Sequence, residues 1–177
     1  PVIEENLIRE KDLPPMKKIS IGLDPAILSQ KSAVGKKSGR TPDSTGIVIT
    51  GRCENGLMYV MRDLTGSYTT EQWVKKSIEL YDYYKNEVDE VKLCIEVNTI
   101  GEETLQYYYK QQKRLDVFKH VICTYSTQSK LQRAQPYALL TEQGKVKFVN
   151  SKNLDKLINE MTTYSGSGKS PNHLDAF

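Results

Sequence analysis

The stretch Ile19-Ser20-Ile21-Gly22-Leu23-Asp24-Pro25 most limits what this chain can fold into. Apolar residues alternate with small or polar ones, and β-branched Ile19 and Ile21 favour extended backbone, so the stretch reads as a buried strand. Pro25 has no amide to give to a sheet and stops the strand at once. The strand therefore carries one carboxylate to its C-terminal end. Taken alone, Asp24 also reads as a cap for the turn that follows.

Further strand and helix signals supply partners. Thr45 to Thr50 and Leu57 to Leu64 read as strands two and three, joined through Asn55-Gly56, a strong hairpin signal. Thr69 opens a helix, with Gln72 placed to close a capping box and Val74, Ile78, Tyr81 and Val88 as an apolar stripe. Trp73, Tyr81, Tyr83 and Tyr84 could stack on bases, but helical spacing explains most of them as packing residues. Val91 to Asn98 is strand four, again an apolar run with an acid, Glu96, near its end. Gly101 to Lys113 is helical, with Leu105, Tyr108 and Tyr109 inward. His120 to Tyr125 is a short fifth strand, and Thr127 to Thr141 a helix with Lys130 and Arg133 one turn apart and Pro136 near a kink. Lys145 to Val149 is a further short strand. Ser151 caps a helix whose inward residues are Leu154, Leu157, Ile158 and Met161. Ser170-Pro171 resembles the start of one more helix, carrying Asp175.

Residues 1–18, ending in Leu13-Pro14-Pro15, read as an extended lead-in or linker, and 19–177 as one domain, a size that 177 residues allow. The chain starts at Pro1 without an initiator Met, as a fragment or processed product would. Hydrophobic residues are 38% and charged residues 27%, which suits a soluble globular protein, and no run approaches the roughly 20 apolar residues of a membrane span. Cys53, Cys94 and Cys123 have no metal-site spacing and read as small core residues in a reducing compartment. The net charge of +3 says little about nucleic acid. The loop from Ile27 to Pro42 says more: Lys31, Lys36, Lys37 and Arg40 are solvated or contact a phosphate backbone.

Gly166-Ser167-Gly168-Lys169-Ser170 suggests a phosphate loop. Thr163 stands where the first Gly is needed, a helix precedes, and Pro171 follows, so a Gly/Ser connector is the better reading. The acids make a stronger case. In a sheet of strand order 3-2-1-4-5, strands one and four are neighbours, and Asp24 and Glu96 lie side by side. Asp175, from a helix packed on the sheet, completes a carboxylate cluster. Such hard oxygen donors suit Mg²⁺ or Mn²⁺. Two ions roughly 4 Å apart would activate water and stabilise the leaving oxygen of a phosphodiester.

The ordered set Ile21 to Ala26, Asp43 to Gly51, Tyr59 to Gly66 with Trp73, Ile95 to Asn98 with Gly101-Glu102, Lys130 to Pro136 and Ser170 to Ala176 resembles the C-terminal nuclease domain of the large terminase subunit of tailed phages and prophages. That resemblance implies an RNase H-like α/β fold of the retroviral integrase superfamily: a mixed central sheet of order 3-2-1-4-5, its second strand antiparallel, flanked by helices. It implies a two-ion Mg²⁺ or Mn²⁺ endonuclease with Asp24, Glu96 and Asp175 as catalytic metal ligands and Asp43 as a further carboxylate, unless Asp43 only caps a strand. Lys130 and Arg133, with Lys36, Lys37 and Arg40, would face double-stranded DNA; a solvated helix face is the alternative for the first two. The expected partners are the portal protein, the small terminase subunit and an ATPase domain, and the setting is the bacterial host cytoplasm, with no membrane. Asn172 and His173 stand where family members often carry Asp and Arg. A resolvase or transposase core, and a DNA-binding or motor-docking module, are the competing readings.

Overall fold

Alternation of apolar and small residues builds the centre of the molecule. The computed structural model describes residues 4–25, 44–125, 130–150 and 154–163. Its strands are β1 (Leu7–Ile8), β2 (Lys18–Asp24), β3 (Gly46–Arg52), β4 (Met58–Asp63), β5 (Glu90–Glu96), β6 (Val121–Thr124) and β7 (Val146–Val149). Its helices are α1 (Thr70–Tyr84), α2 (Glu102–Gln111), α3 (Leu115–Phe118), α4 (Lys130–Glu142) and α5 (Asp155–Thr163). The strands form a seven-stranded sheet ordered β1-β7-β4-β3-β2-β5-β6. β3 is antiparallel to both β2 and β4, while β5 is parallel to β2 and β6. The expected order 3-2-1-4-5 with an antiparallel second strand is thus present as β4-β3-β2-β5-β6.

The two sides of the sheet bury different cores. Ile19, Ile21 and Leu23 of β2, with Val91, Leu93 and Ile95 of β5, face Trp73, Val74 and Ile78 of α1 and Leu105 and Tyr109 of α2. Each such fully buried Ile or Leu contributes on the order of 1.5–3 kcal/mol. On the other side Val48, Met58, Val60, Val146 and Phe148 pack with Leu154 and Leu157 at α5. Trp73 is fully buried, so it is a core residue and not a stacking platform, whereas Tyr83 is exposed. Ser77 joins the first core through a 2.6 Å hydrogen bond to the Tyr109 hydroxyl.

Local chemistry fixes the element ends. At α1 the Gln72 amide donates to Thr69 Oγ1 (3.2 Å) and the Thr69 amide to Gln72 Oε1 (2.9 Å), a complete capping box. The β3–β4 connection turns at Gly56 with φ 78°, which the Asn-Gly signal anticipates. At the end of α4, Gly144 takes φ 70° while the Lys145 amide reaches back to the Leu140 carbonyl at 2.9 Å. That bond releases the chain into β7. Pro136 lies inside α4.

Within the segment expected as a lead-in, Leu7–Ile8 adds a strand to the sheet edge, parallel to β7, with Leu7 opposite Phe148 and Ile8 opposite Val149. Buried Asn6 secures it: its Nδ2 donates to the Thr141 carbonyl (3.0 Å), and Lys147 Nζ donates to its Oδ1 (2.8 Å). A two-residue strand has no periodicity of its own, and its partner is far along the chain.

Arg114 ties α1 to the turn between α2 and α3. Its guanidinium makes a two-pronged pair with Asp82 (2.6 and 2.7 Å) and reaches Asp116 at 3.1 Å. These hydrogen bonds hold the Asp82 carboxyl at about 2, against partial desolvation and with help from Lys85. Because this pKa lies below the unfolded value, the stabilisation is full above about pH 4 and is lost as pH falls toward 2. The Asp82 side chain is 37% exposed, so solvent screening limits the contribution to about 1 kcal/mol or less. Urea unfolding of Arg114→Ala should show that deficit at pH 7, shrinking as the pH is lowered through this window.

Candidate functional site

Parallel pairing with β5 carries β2 up to the residue before Asp24. Lys18 pairs with Glu90 and the register holds to Leu23 opposite Ile95. The next step along both strands brings Asp24 level with Glu96, on neighbours about 4.8 Å apart. Both acids lie on the side of the sheet opposite the α1–α2 core, because Ile19, Ile21, Leu23, Val91, Leu93 and Ile95 take up the other side. Ser20 Oγ and Cys94 Sγ, which share the acids' side, are 3.6 Å apart across the same pair of strands. Asp24 and Glu96 are each half-buried, held by the sheet and still open to solvent.

The topology collects strand ends at this place. β2, β4, β5, β6 and β7 all run the same way, with β3 opposed, so their C-terminal ends form one edge of the sheet. That edge carries Asp24, Asp63, Glu96 and Thr124, and Thr124 pairs with Glu96. Carboxyl ends of parallel strands are where open α/β sheets place their ligands. Lys130 and Arg133 lie at the start of α4, the helix between β6 and β7.

Two carboxylates side by side on one face repel each other, and a hard divalent cation relieves that repulsion. The donor set fits Mg²⁺ or Mn²⁺ rather than a thiophilic metal, since both groups offer only oxygen. Among the described residues no group of three His, Cys, Asp or Glu is placed to hold a metal ion. Asp175, expected as the third acid, lies outside the described residues, as do Asp43, Lys36, Lys37, Arg40 and the Gly166 to Ser170 stretch.

Sequence reasoning passed over Asp63 as a site-edge residue. It is buried, and its Oδ1 accepts the Thr65 amide at 2.9 Å. Tyr68 packs nearby and donates to the Leu64 carbonyl at 2.8 Å; burial first, and the Asp63 charge second, raise the pKa of its hydroxyl. The signal was available as Asp63-Leu64-Thr65-Gly66, a stretch in which Asp bonds its own backbone two residues on.

A family described as the terminase RNase H-like domain matches residues 21–177, a span that includes Asp24, Glu96 and Asp175. No curated protein matches the chain. Among solved structures, the Mn-soaked human cytomegalovirus terminase nuclease domain is similar with a TM-score of 0.66 at 10% identity, covering 99% of this chain and 89% of that one. The large terminase of a thermophilic bacteriophage is similar with a TM-score of 0.64 at 11% identity, covering 98% of this chain. This chain spans 41% of that phage protein's length. At such identities the likeness is one of fold.

Ligand binding to the folded state alone raises the melting temperature by mass action. Millimolar Mn²⁺ should therefore raise the melting temperature of the parent chain, and the increment should vanish in Asp24→Asn and in Glu96→Gln. Differential scanning fluorimetry with and without EDTA reads both.

Proposed function

This chain belongs to the terminase RNase H-like domain family, and from that premise we propose that it is a Mg²⁺- or Mn²⁺-dependent endonuclease domain. Its substrate is concatemeric double-stranded viral DNA, cut by hydrolysis of phosphodiester bonds during genome packaging by a large terminase subunit. The observation that carries the reading is the β2–β5 register, which ends at Leu23 opposite Ile95 and so leaves Asp24 and Glu96 as the next residues of adjacent parallel strands, both half-buried.

Asp24, Glu96 and Asp175 hold a two-ion site in this reading, with Asp43 as a further oxygen donor. Divalent ions bound there supply charge neutralisation at the phosphodiester and activation of water. The protein's own part is to hold the carboxylates rigidly, since strand-borne groups are placed more exactly than loop-borne ones. Lys130 and Arg133, with Lys36, Lys37 and Arg40, contact DNA phosphates and set its orientation without reading its sequence. The working partners are an ATPase domain, the portal protein and the small terminase subunit, in the cytoplasm of an infected bacterial host. Among the described residues no helix is long and apolar enough to cross a membrane.

Supercoiled plasmid incubated with the purified chain in Mg²⁺ or Mn²⁺ should be nicked and linearised, and EDTA should stop the reaction. Asp24→Asn, with parent-like circular dichroism, should lose at least about a hundredfold in rate, the order expected when a group acting directly on the transition state is removed. A folded Asp24→Asn chain that cuts like the parent would remove Asp24 from the site. DNA retention without cutting by either chain would favour a docking module.

A further inference from the structure

The stretch Asp63-Leu64-Thr65-Gly66 has a structural task that the proposed chemistry does not use. The β3–β4 ladder runs from Arg52 opposite Met58 up to Val48 opposite Asp63. Beyond it, side-chain bonds join the backbone ones. The Ile47 amide donates to Thr65 Oγ1 at 3.0 Å, and the Thr65 amide donates to Asp63 Oδ1 at 2.9 Å. The Leu64 amide donates to the Ile47 carbonyl at 2.8 Å. Thr45 and Gly66 exchange both of their backbone bonds, at 2.8 and 3.1 Å. Thr45, Ile47 and Asp63 are buried, and Leu64, Thr65 and Gly66 half-buried, so the bonds are partly shielded from water.

The residue held between these bonds is Gly46, and it is the partner of Asp24. The β2–β3 pairing reaches Asp24, whereas the β2–β5 pairing stops one residue earlier, at Leu23 opposite Ile95. Pro25 gives the next position no amide. The Asp24 backbone is therefore registered from the β3 side. Gly46 has no side chain to pack and the largest conformational freedom to lose, so its place depends on the bonds at Thr45 and Ile47. We propose that Asp63 and Thr65 are positioning residues: through Ile47 and Gly46 they fix the end of β2 and so the spacing of the Asp24 carboxylate from Glu96, which sets divalent-ion affinity. The inference rests on the nuclease reading, in which Asp24 and Glu96 share an ion.

The test is Mn²⁺ binding to the full chain by electron paramagnetic resonance, with plasmid cleavage against Mn²⁺ concentration beside it. Thr65→Val keeps the shape and loses the acceptor; Asp63→Ala loses the other link independently. Both, at a temperature where urea titration shows them folded, should bind Mn²⁺ about tenfold or more weakly and need correspondingly more Mn²⁺ for half-maximal cutting, the range typical of groups that orient metal ligands. Thr65→Ser and Asp63→Asn, which keep the acceptor oxygens, should restore parent behaviour. If Thr65→Val and Asp63→Ala lower the urea midpoint yet keep the parent's Mn²⁺ affinity, the clamp is structural only and the proposal is overturned. A parent chain that binds no Mn²⁺ and does not cut overturns the nuclease reading and this proposal with it, an outcome visible before any variant is compared.

Discussion

In-register parallel pairing of β2 with β5 is the constraint on which the rest depends. It is set by apolar alternation, because a slip of one residue would turn Ile19, Ile21 and Leu23 out of the α1–α2 core and Asp24 into it. The same register that buries the core therefore brings two like charges level on the opposite face. Hydrophobic burial is the larger energy here, and it enforces an electrostatic arrangement that would not form for its own sake. Two carboxylates placed this way offer hard oxygen donors of the kind that suit a divalent cation, which is the use the proposed function makes of them.

The layers around the sheet serve that arrangement unequally. α1 and α2 seal one face with Trp73, Leu105 and Tyr109. On the other face the second core lies toward β4 and β7, under α5. The acids stand on that second face toward β5 and β6, where exposed Ile122 and Thr124 mark a side that the described helices leave accessible. Burial on one side and access on the other let a strand-borne carboxylate be both rigid and reachable. Family membership gives this geometry its context, and the likeness to the cytomegalovirus and thermophilic-phage terminases confirms the fold independently at low identity.

Most of this fold could be read from residues because its signals are local. Two-residue alternation located β2 and β5, Asn55-Gly56 located the β3–β4 turn, and Thr69 with Gln72 located the start of α1. What escaped depends on contacts distant in sequence or on side chains acting as backbone. Leu7 pairs with Phe148 near the other end of the chain, so no local pattern announces β1. Asp63 was read within a strand ending at Leu64 and Thr65 only within the resembling stretch Tyr59 to Gly66, although their side chains add bonds beside the backbone ones past the β3–β4 register. At the site, Asp24 and Glu96 were readable as strand-end acids, and the sheet order makes them neighbours. Their expected companion Asp175 belongs to a stretch where only motif and resemblance speak.

The central claim is that Asp24 and Glu96 share a divalent ion, and anomalous diffraction from Mn²⁺-soaked crystals tests it most directly. The account predicts an anomalous peak at coordination distance from carboxylate oxygens of both residues, on the face of the sheet opposite Trp73. A peak bound elsewhere, or ordered Asp24 and Glu96 carboxylates with no manganese between them, would contradict it.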